Sequence, residues 1–347
     1  MMPEEWPIAA SAAQENAPAR PGGRGRLSTV RLDFFLDPAE RLTEQERALM
    51  TAMLHCLVGD IAGEIRATLP AGWVSANDDD SHVIDALTRS GLLNDPQLML
   101  LLLRRADEER IGTAARARTG RREARAIQGL VSHQSGAVSA AAMALILARG
   151  RRRDRFGQCL LGFDDLPKET AERLVLNVAA ALRGDFAAVR GAAAADTELA
   201  ASADRLIDRH DPTRSIEALT GAVVAILDEG DGLSDELLLA SAQEGEIAFI
   251  AEVLARRAGI YGAVALDELL SGRGEQVMSL LRVAGFSREL SAGLLASLGD
   301  LLGIDDPGAA INFYDRMSAD EVRAAASWVS TPRAYRAALD LLGSNNG

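Results

Sequence analysis

Apolar residues recur along this chain at intervals of three and four, the spacing that gathers them onto one face of an α-helix. Leu49, Met53, Leu57, Ile61, Ile65 and Leu69 form an unbroken i, i+4 stripe. Ala171, Leu174, Val178 and Leu182 form a second, Ile216, Leu219, Val223 and Ile226 a third, and Leu290, Leu294, Leu298 and Leu301 a fourth. No segment sustains the apolar–polar alternation of a half-buried strand. Helix starts can be placed one by one. Thr43 with Glu46, and Ser318 with Glu321, read as capping boxes, in which each side chain satisfies a backbone donor that has no partner inside the helix. Asp37-Pro38, Asp95-Pro96, Asp211-Pro212, Asp306-Pro307 and Thr331-Pro332 each join a capping side chain to a proline at the first helical position, where a missing N–H costs nothing. These signals predict an all-α protein, a multi-helix array of about a dozen short helices.

The pattern fails at the N-terminus. Residues 1–30 show no periodicity and crowd Pro18, Pro21, Gly22, Gly23 and Gly25 together, the composition of a disordered tail. Order is expected from Leu32–Phe35, with one helical half over 31–160 and another over 161–347. Gly91-Leu92-Leu93-Asn94-Asp95 before one Leu-rich helix echoes Gly232-Leu233-Ser234-Asp235-Glu236 before another. The spacings around the two differ, so chance likeness between capped helices accounts for it as well as duplication does. Composition agrees with helices: 48% of residues are hydrophobic but only 4% aromatic, with Ala and Leu in place of the branched and aromatic residues of sheets.

The stretch 227–286 reads LDEGDGLSDELLLASAQEGEIAFIAEVLARRAGIYGAVALDELLSGRGEQVMSLLRVAGF. Its Gly-Leu-Ser-Asp start, the Glu244-Gly245-Glu246 step, the helix with Phe249 and Leu254, and the Ala284-Gly285-Phe286 close resemble the C-terminal signature of a proteobacterial family, number 2336 among the domains of unknown function. Leu166-Pro167-Lys168-Glu169 and the Thr43–Leu69 helix are similar as well, so that the likeness covers most of residues 40–290. The resemblance implies a helical fold akin to HEAT-type repeats. It brings no activity, ligand or catalytic residue with it.

Charge adds the one anomaly. The chain carries a net −13, which opposes general affinity for nucleic acid, and Lys168 is its only lysine. Yet from Arg104 to Arg155 there are 13 Arg against five acidic residues. Arg116, Arg118, Arg121, Arg122 and Arg125 form one cluster; Arg149, Arg151, Arg152, Arg153 and Arg155 form a second. They read either as a solvated helix face with a basic loop, or as a docking patch for an acidic partner, a second copy of the chain included. Nucleic acid is the weaker occupant, because aromatic residues do not interleave with the arginines.

Other candidates lose to simpler explanations. His55, His82, His133 and His210 stand apart and form no metal-binding pattern. Asn77-Asp78-Asp79-Asp80-Ser81-His82 could offer oxygens to a hard cation but lacks the glycine and distal glutamate of a calcium loop, and reads better as the lead-in to a helix. In Asp208-Arg209-His210-Asp211-Pro212, Asp211 suits a cap and His210 the end of the preceding helix. Cys56 and Cys159 have no disulfide or metal spacing and fit a reducing compartment; within or near helices, they read as small core residues. No nucleophile elbow, phosphate-binding loop or dinucleotide fingerprint is present, so no catalytic residue, metal or cofactor is expected. The N-terminus has no signal-peptide pattern, and the apolar runs Leu98–Leu103 and Ala140–Ala148 fall short of the roughly 20 residues that span a bilayer. The sequence therefore reads as a cytoplasmic, non-enzymatic helical-repeat protein, an interaction or regulatory scaffold. A small-ligand binder or enzyme with a pocket between helices is the alternative, and nucleic-acid binding through the arginines the third reading.

Overall fold

Fifteen α-helices and a few single 3-10 turns carry the described chain, in a computed structural model that describes residues 42–73, 80–120 and 125–332, with 335, 336, 338, 339 and 342. The tail, Asp37-Pro38, Asp78, Asp79, Arg121 and Arg122 lie outside the described residues. The backbone divides into two units, Met1–Gln45 and Glu46–Gly347. The second carries the helices, save the opening two residues of the first helix. They are α1 (Glu44–Ala67), α2 (Ser81–Ser90), α3 (Pro96–Thr119), α4 (Ala126–Gly129), α5 (Gly136–Arg151), α6 (Lys168–Arg190), α7 (Ala192–Ile207) and α8 (Ile216–Glu229). They continue as α9 (Asp235–Gln243), α10 (Ile247–Ala258), α11 (Gly262–Leu269), α12 (Gly274–Val283), α13 (Arg288–Leu298), α14 (Pro307–Arg316) and α15 (Ala319–Val329). Among the described residues there is no strand, only an isolated bridge between Arg153 and Cys159.

The capping logic holds at Asp95, Asp306 and Ser318, whereas the Thr331 hydroxyl donates back to Ser327 O at 2.9 Å. The Asp95 side chain accepts from the N–H groups of Gln97 and Leu98 at 2.8 and 2.9 Å, Asp306 accepts from Ala309 N at 2.8 Å, and Ser318 and Glu321 form the reciprocal box at α15. Asp211 accepts from Thr213 N, but it opens a single 3-10 turn, and Ser215 behind it caps α8. The four stripes point inward: Met53, Leu57, Ile61 and Ile65 are buried, as are Leu174, Val178 and Leu182 on α6, Ile216 and Val223 on α8, and Leu290, Leu294 and Leu298 on α13. By length and composition α1 could cross a membrane, a feature that short apolar runs do not reveal. Met53, Leu57, Val58, Ile61, Ala62 and Ile65 on it are instead packed in the core, and a core helix meets the same criterion.

Two hydrophobic cores result. The first gathers α1, α2, the N-terminal part of α3, Leu161, Leu166, α6 and α7. The second gathers α5 and α8 to α14 around Phe249, Leu254 and Met278. α3 belongs to both. Leu98, Leu101, Leu102 and Ala106 face the first, and Ile111 and Ala115 face the second. Where one set of contacts gives way to the other, α3 places Arg105, which is only 4% exposed. A charged residue so deep needs partners, and its partners lead to the site.

Candidate functional site: an arginine-lined cavity

Beside this join opens a cavity of about 490 Å³, within the span of roughly 300–1,000 Å³ usual for ligand clefts. Arg105, Arg116, Arg149, Arg152 and Arg153 all line it. Its wall is built by α3, with Arg105, Glu108, Glu109 and Arg116; by the end of α5 and the loop after it; by the turn before α10 and that helix's first residues; and by Ile127 and Gln128 of α4 and Ile216 of α8. The two arginine clusters, with 23 residues between Arg125 and Arg149, thus contribute to one cavity.

The loop after α5 folds back on itself. Leu160 N donates to Arg152 O at 2.8 Å and Asp154 N to Gln158 O at 3.0 Å, while the Asp154 carboxylate accepts from Phe156 N and Gln158 N, each at 2.8 Å. This hairpin-like turn aims two arginines in different directions. Arg152 reaches inward to Asp165, whose side chain is wholly buried, in a two-armed contact at 3.0 and 3.2 Å. Asp165 also accepts from Gly162 N at 2.7 Å and from Ile216 N, at the start of α8, at 3.0 Å. One carboxylate therefore ties the loop, the first core and α8 together. Arg153 turns outward and grips Glu109 of α3 at 2.9 and 3.3 Å.

The opposite side is the Glu-Gly-Glu step. Gly245, at φ +73°, approaches α3 so closely that a Cβ there would stand 2.8 Å from Gly112 Cα and 2.9 Å from Ile111 O. The two acids flanking it diverge. Buried Glu244 accepts from Arg125 N and Ala126 N, both at 2.7 Å, and so caps α4. Glu246 enters the cavity wall and meets Arg149 at 2.8 Å. Beneath, Arg105 bridges Glu108 and Glu217, each at 2.7 Å. Burial works against its charge, yet Glu108, Glu217 and Asp165 raise its pKa above the ordinary value. Burial likewise pushes the Glu217 carboxyl up, against the pull of Arg105.

Next to Glu217 lies Glu252 of α10. Burial, and then the charge of Glu217, push its carboxyl up to about 7 from an ordinary 4.5. The folded chain then holds one more proton than the unfolded chain between those two values, so stability is highest at the acid end and falls as pH rises from about 4.5 to 7. Glu252→Gln is expected to flatten that fall and to raise stability at pH 8 by about 1–2 kcal/mol, allowing for solvent screening of a partly exposed group. Urea denaturation of both proteins at pH 5 and pH 8 measures it, and an equal pH dependence in the two would refute the assignment.

Of the ten arginines singled out in the sequence, Arg116, Arg149, Arg152 and Arg153 come together at the cavity. Arg118 pairs with Asp300 at 3.5 Å, Arg125 takes part through its backbone, Arg151 is exposed at the end of α5, and Arg155 stacks on Phe156 at 4.6 Å. Periodicity misses Arg105, Glu108, Glu109, Glu246 and Asp165, although the Glu-Gly-Glu step is visible as a motif. The remaining candidates serve the fold. His210 contacts the Leu166 carbonyl at 3.0 Å and packs edge-on against Phe163. His82 meets Asp185 at 3.0 Å. Asp80 turns to Arg66 at 2.5 Å instead of capping α2. Cys56 is exposed on α1 and not in the core, whereas Cys159 lines the cavity, where burial raises its thiol to about 11, so that it stays protonated and a poor nucleophile at neutral pH. Among the described residues, no group of three or more His, Cys, Asp or Glu is arranged to hold a metal.

Residues 85–329 match the family described as "uncharacterised protein conserved in bacteria (DUF2336)", a span that takes in α3 to α15 whole and with them every wall of the cavity. It begins later and ends further on than the likeness read from the sequence. No curated protein and no solved structure matches the chain significantly. The chain belongs to this bacterial family.

Proposed function

We propose that this protein is a non-catalytic interaction protein, a helical-repeat scaffold whose arginine-lined cavity receives an acidic element of a protein partner. The observation that carries the reading is the convergence of guanidinium groups from α3, α5 and the loop after α5 on one cavity, where scattered solvated arginines would have served solubility alone. Its surroundings suit a protein better than a free metabolite. Met143 and Leu147 are exposed on the outer face of α5, and Phe156, 76% exposed, stands on the turn that follows it. Apolar and aromatic side chains beside a charged pocket are the anatomy of a protein interface. The two free cysteines suit a reducing cytoplasm. Nucleic acid fits less well, because Arg118, Arg149, Arg152 and Arg153 are each paired with a carboxylate of the same chain and so are not a free basic track.

The test is capture from an extract of the native host with the full chain and with an Arg116→Glu/Arg149→Glu double variant. A protein retained by the former and reduced at least tenfold by the latter is the expected result. Capture that is indifferent to the double reversal sinks the reading.

A further inference from the structure

Resting on that reading, we infer that the acidic element is a phosphorylated side chain and not an aspartate or glutamate. The argument starts from what already fills the site. Glu109, Glu246 and Asp165 hold Arg153, Arg149 and Arg152. An incoming carboxylate would only replace a carboxylate, and it would compete with groups tethered in place, against which a free partner bears the cost of association. A carboxylate therefore has nothing to gain here.

A phosphate monoester has. It carries about −1.5 to −2 charges at neutral pH and three acceptor oxygens, and guanidinium groups meet it in a fixed fork. The pairing in the cavity is uneven in the way this needs. Arg152 is held by both arms on a wholly buried carboxylate, and Arg105 by two carboxylates; these two form the rigid back. Arg149 meets Glu246 at 2.8 Å through Nη1. Arg116 stands 4.0 Å from Glu109, which it shares with Arg153, and otherwise donates to Thr113 Oγ1 at 3.3 Å. A guanidinium has five N–H donors, so Arg116 and Arg149 keep donors for a ligand with more than two acceptor oxygens. Both stem from the partly exposed wall, on two different helices, as a clamp requires. Phosphate enters between them, and Asp165 and its loop stay as they are.

The experiment uses the full chain with two probes, N-acetyl-O-phosphoserine amide and N-acetyl-glutamate amide, titrated by calorimetry at pH 7.5 and matched ionic strength. The phosphorylated probe is expected to bind at least tenfold more tightly than the glutamate probe. Arg149→Gln should weaken it about tenfold, while Arg155→Gln, whose arginine lies outside the cavity wall, should leave it unchanged. Equal binding of the two probes, or indifference to Arg149→Gln, overturns the inference. Phosphatase treatment of the host extract separates it from the reading beneath. A partner still captured after treatment, and still lost with the double reversal, overturns the phosphate and leaves the acidic interaction standing; a partner lost on treatment supports both.

Discussion

Replacing Asp165 by alanine is expected to destabilise the protein by about 3–5 kcal/mol, the cost of stranding one partner of a buried ion pair. Its side chain has no exposure and serves four donors: two nitrogens of Arg152, Gly162 N and Ile216 N. Alanine removes them all at once. Arg152 is left in a largely buried place without a counter-charge, and the first N–H of α8 loses an acceptor at the positive end of the helix. Asn is a poor substitute. Its single carbonyl oxygen can keep Ile216 or Gly162, but its NH₂ group then faces the Arg152 guanidinium. Against a total stability of about 5–15 kcal/mol, both variants should show a clear fall in urea midpoint, alanine the larger. The second readout is the cavity itself, because Arg152 forms part of its wall. A variant that melts within about 1 kcal/mol of the parent would mean that Asp165 is not the tie between the loop and α8.

How much is legible in the sequence depends on what each signal rests on. Helix starts are local chemistry, settled by a side chain and the three residues after it, and Asp95, Asp306 and Ser318 cap as their neighbours dictate. Buried faces are local periodicity, so the stripe on α6 lies inward as its spacing requires. The cavity is neither. Arg105 and Glu108 are three residues apart, but Arg152 and Asp165 are 13 apart and Arg105 and Glu217 are 112 apart, so a short window along the chain holds only a fragment of the network. The arginines stand out because their density is a one-dimensional fact. The carboxylates that answer them are scattered over distant segments among the chain's 50 acids, and nothing in their local sequence says which arginine each will meet. Arg105 is the hardest to see, since its charge suggests a solvated face while two apolar cores close around it. Glu244-Gly245-Glu246 is visible as a motif, but only the approach of α3 gives it a meaning.

That approach sets the last expectation. Gly245→Ala should cost about 2–5 kcal/mol, from two separable causes. The first is backbone: at φ +73° any side chain adds about 1–2 kcal/mol. The second is contact, since the new Cβ would stand 2.8 Å from Gly112 Cα, 2.9 Å from Ala115 Cβ and 2.9 Å from Ile111 O, all parts of α3 that cannot swing aside. Overpacking of that kind adds about 1–3 kcal/mol. Gly259 separates the two, for it has nearly the same conformation, φ +69°, and a Cβ there meets nothing within 4 Å. Gly259→Ala should therefore show the backbone cost alone, about 1–2 kcal/mol, and the excess at Gly245 reads the close approach directly. The excess should also reach the ligand site. Relief of the clash requires the turn to back away from α3, which carries Glu246 away from Arg149 and loosens the cap that Glu244 places on α4. Phosphoserine-probe affinity should fall with Gly245→Ala and hold with Gly259→Ala. Equal losses at the two glycines, in stability or in binding, would show that contact with α3 does not set the cavity's shape.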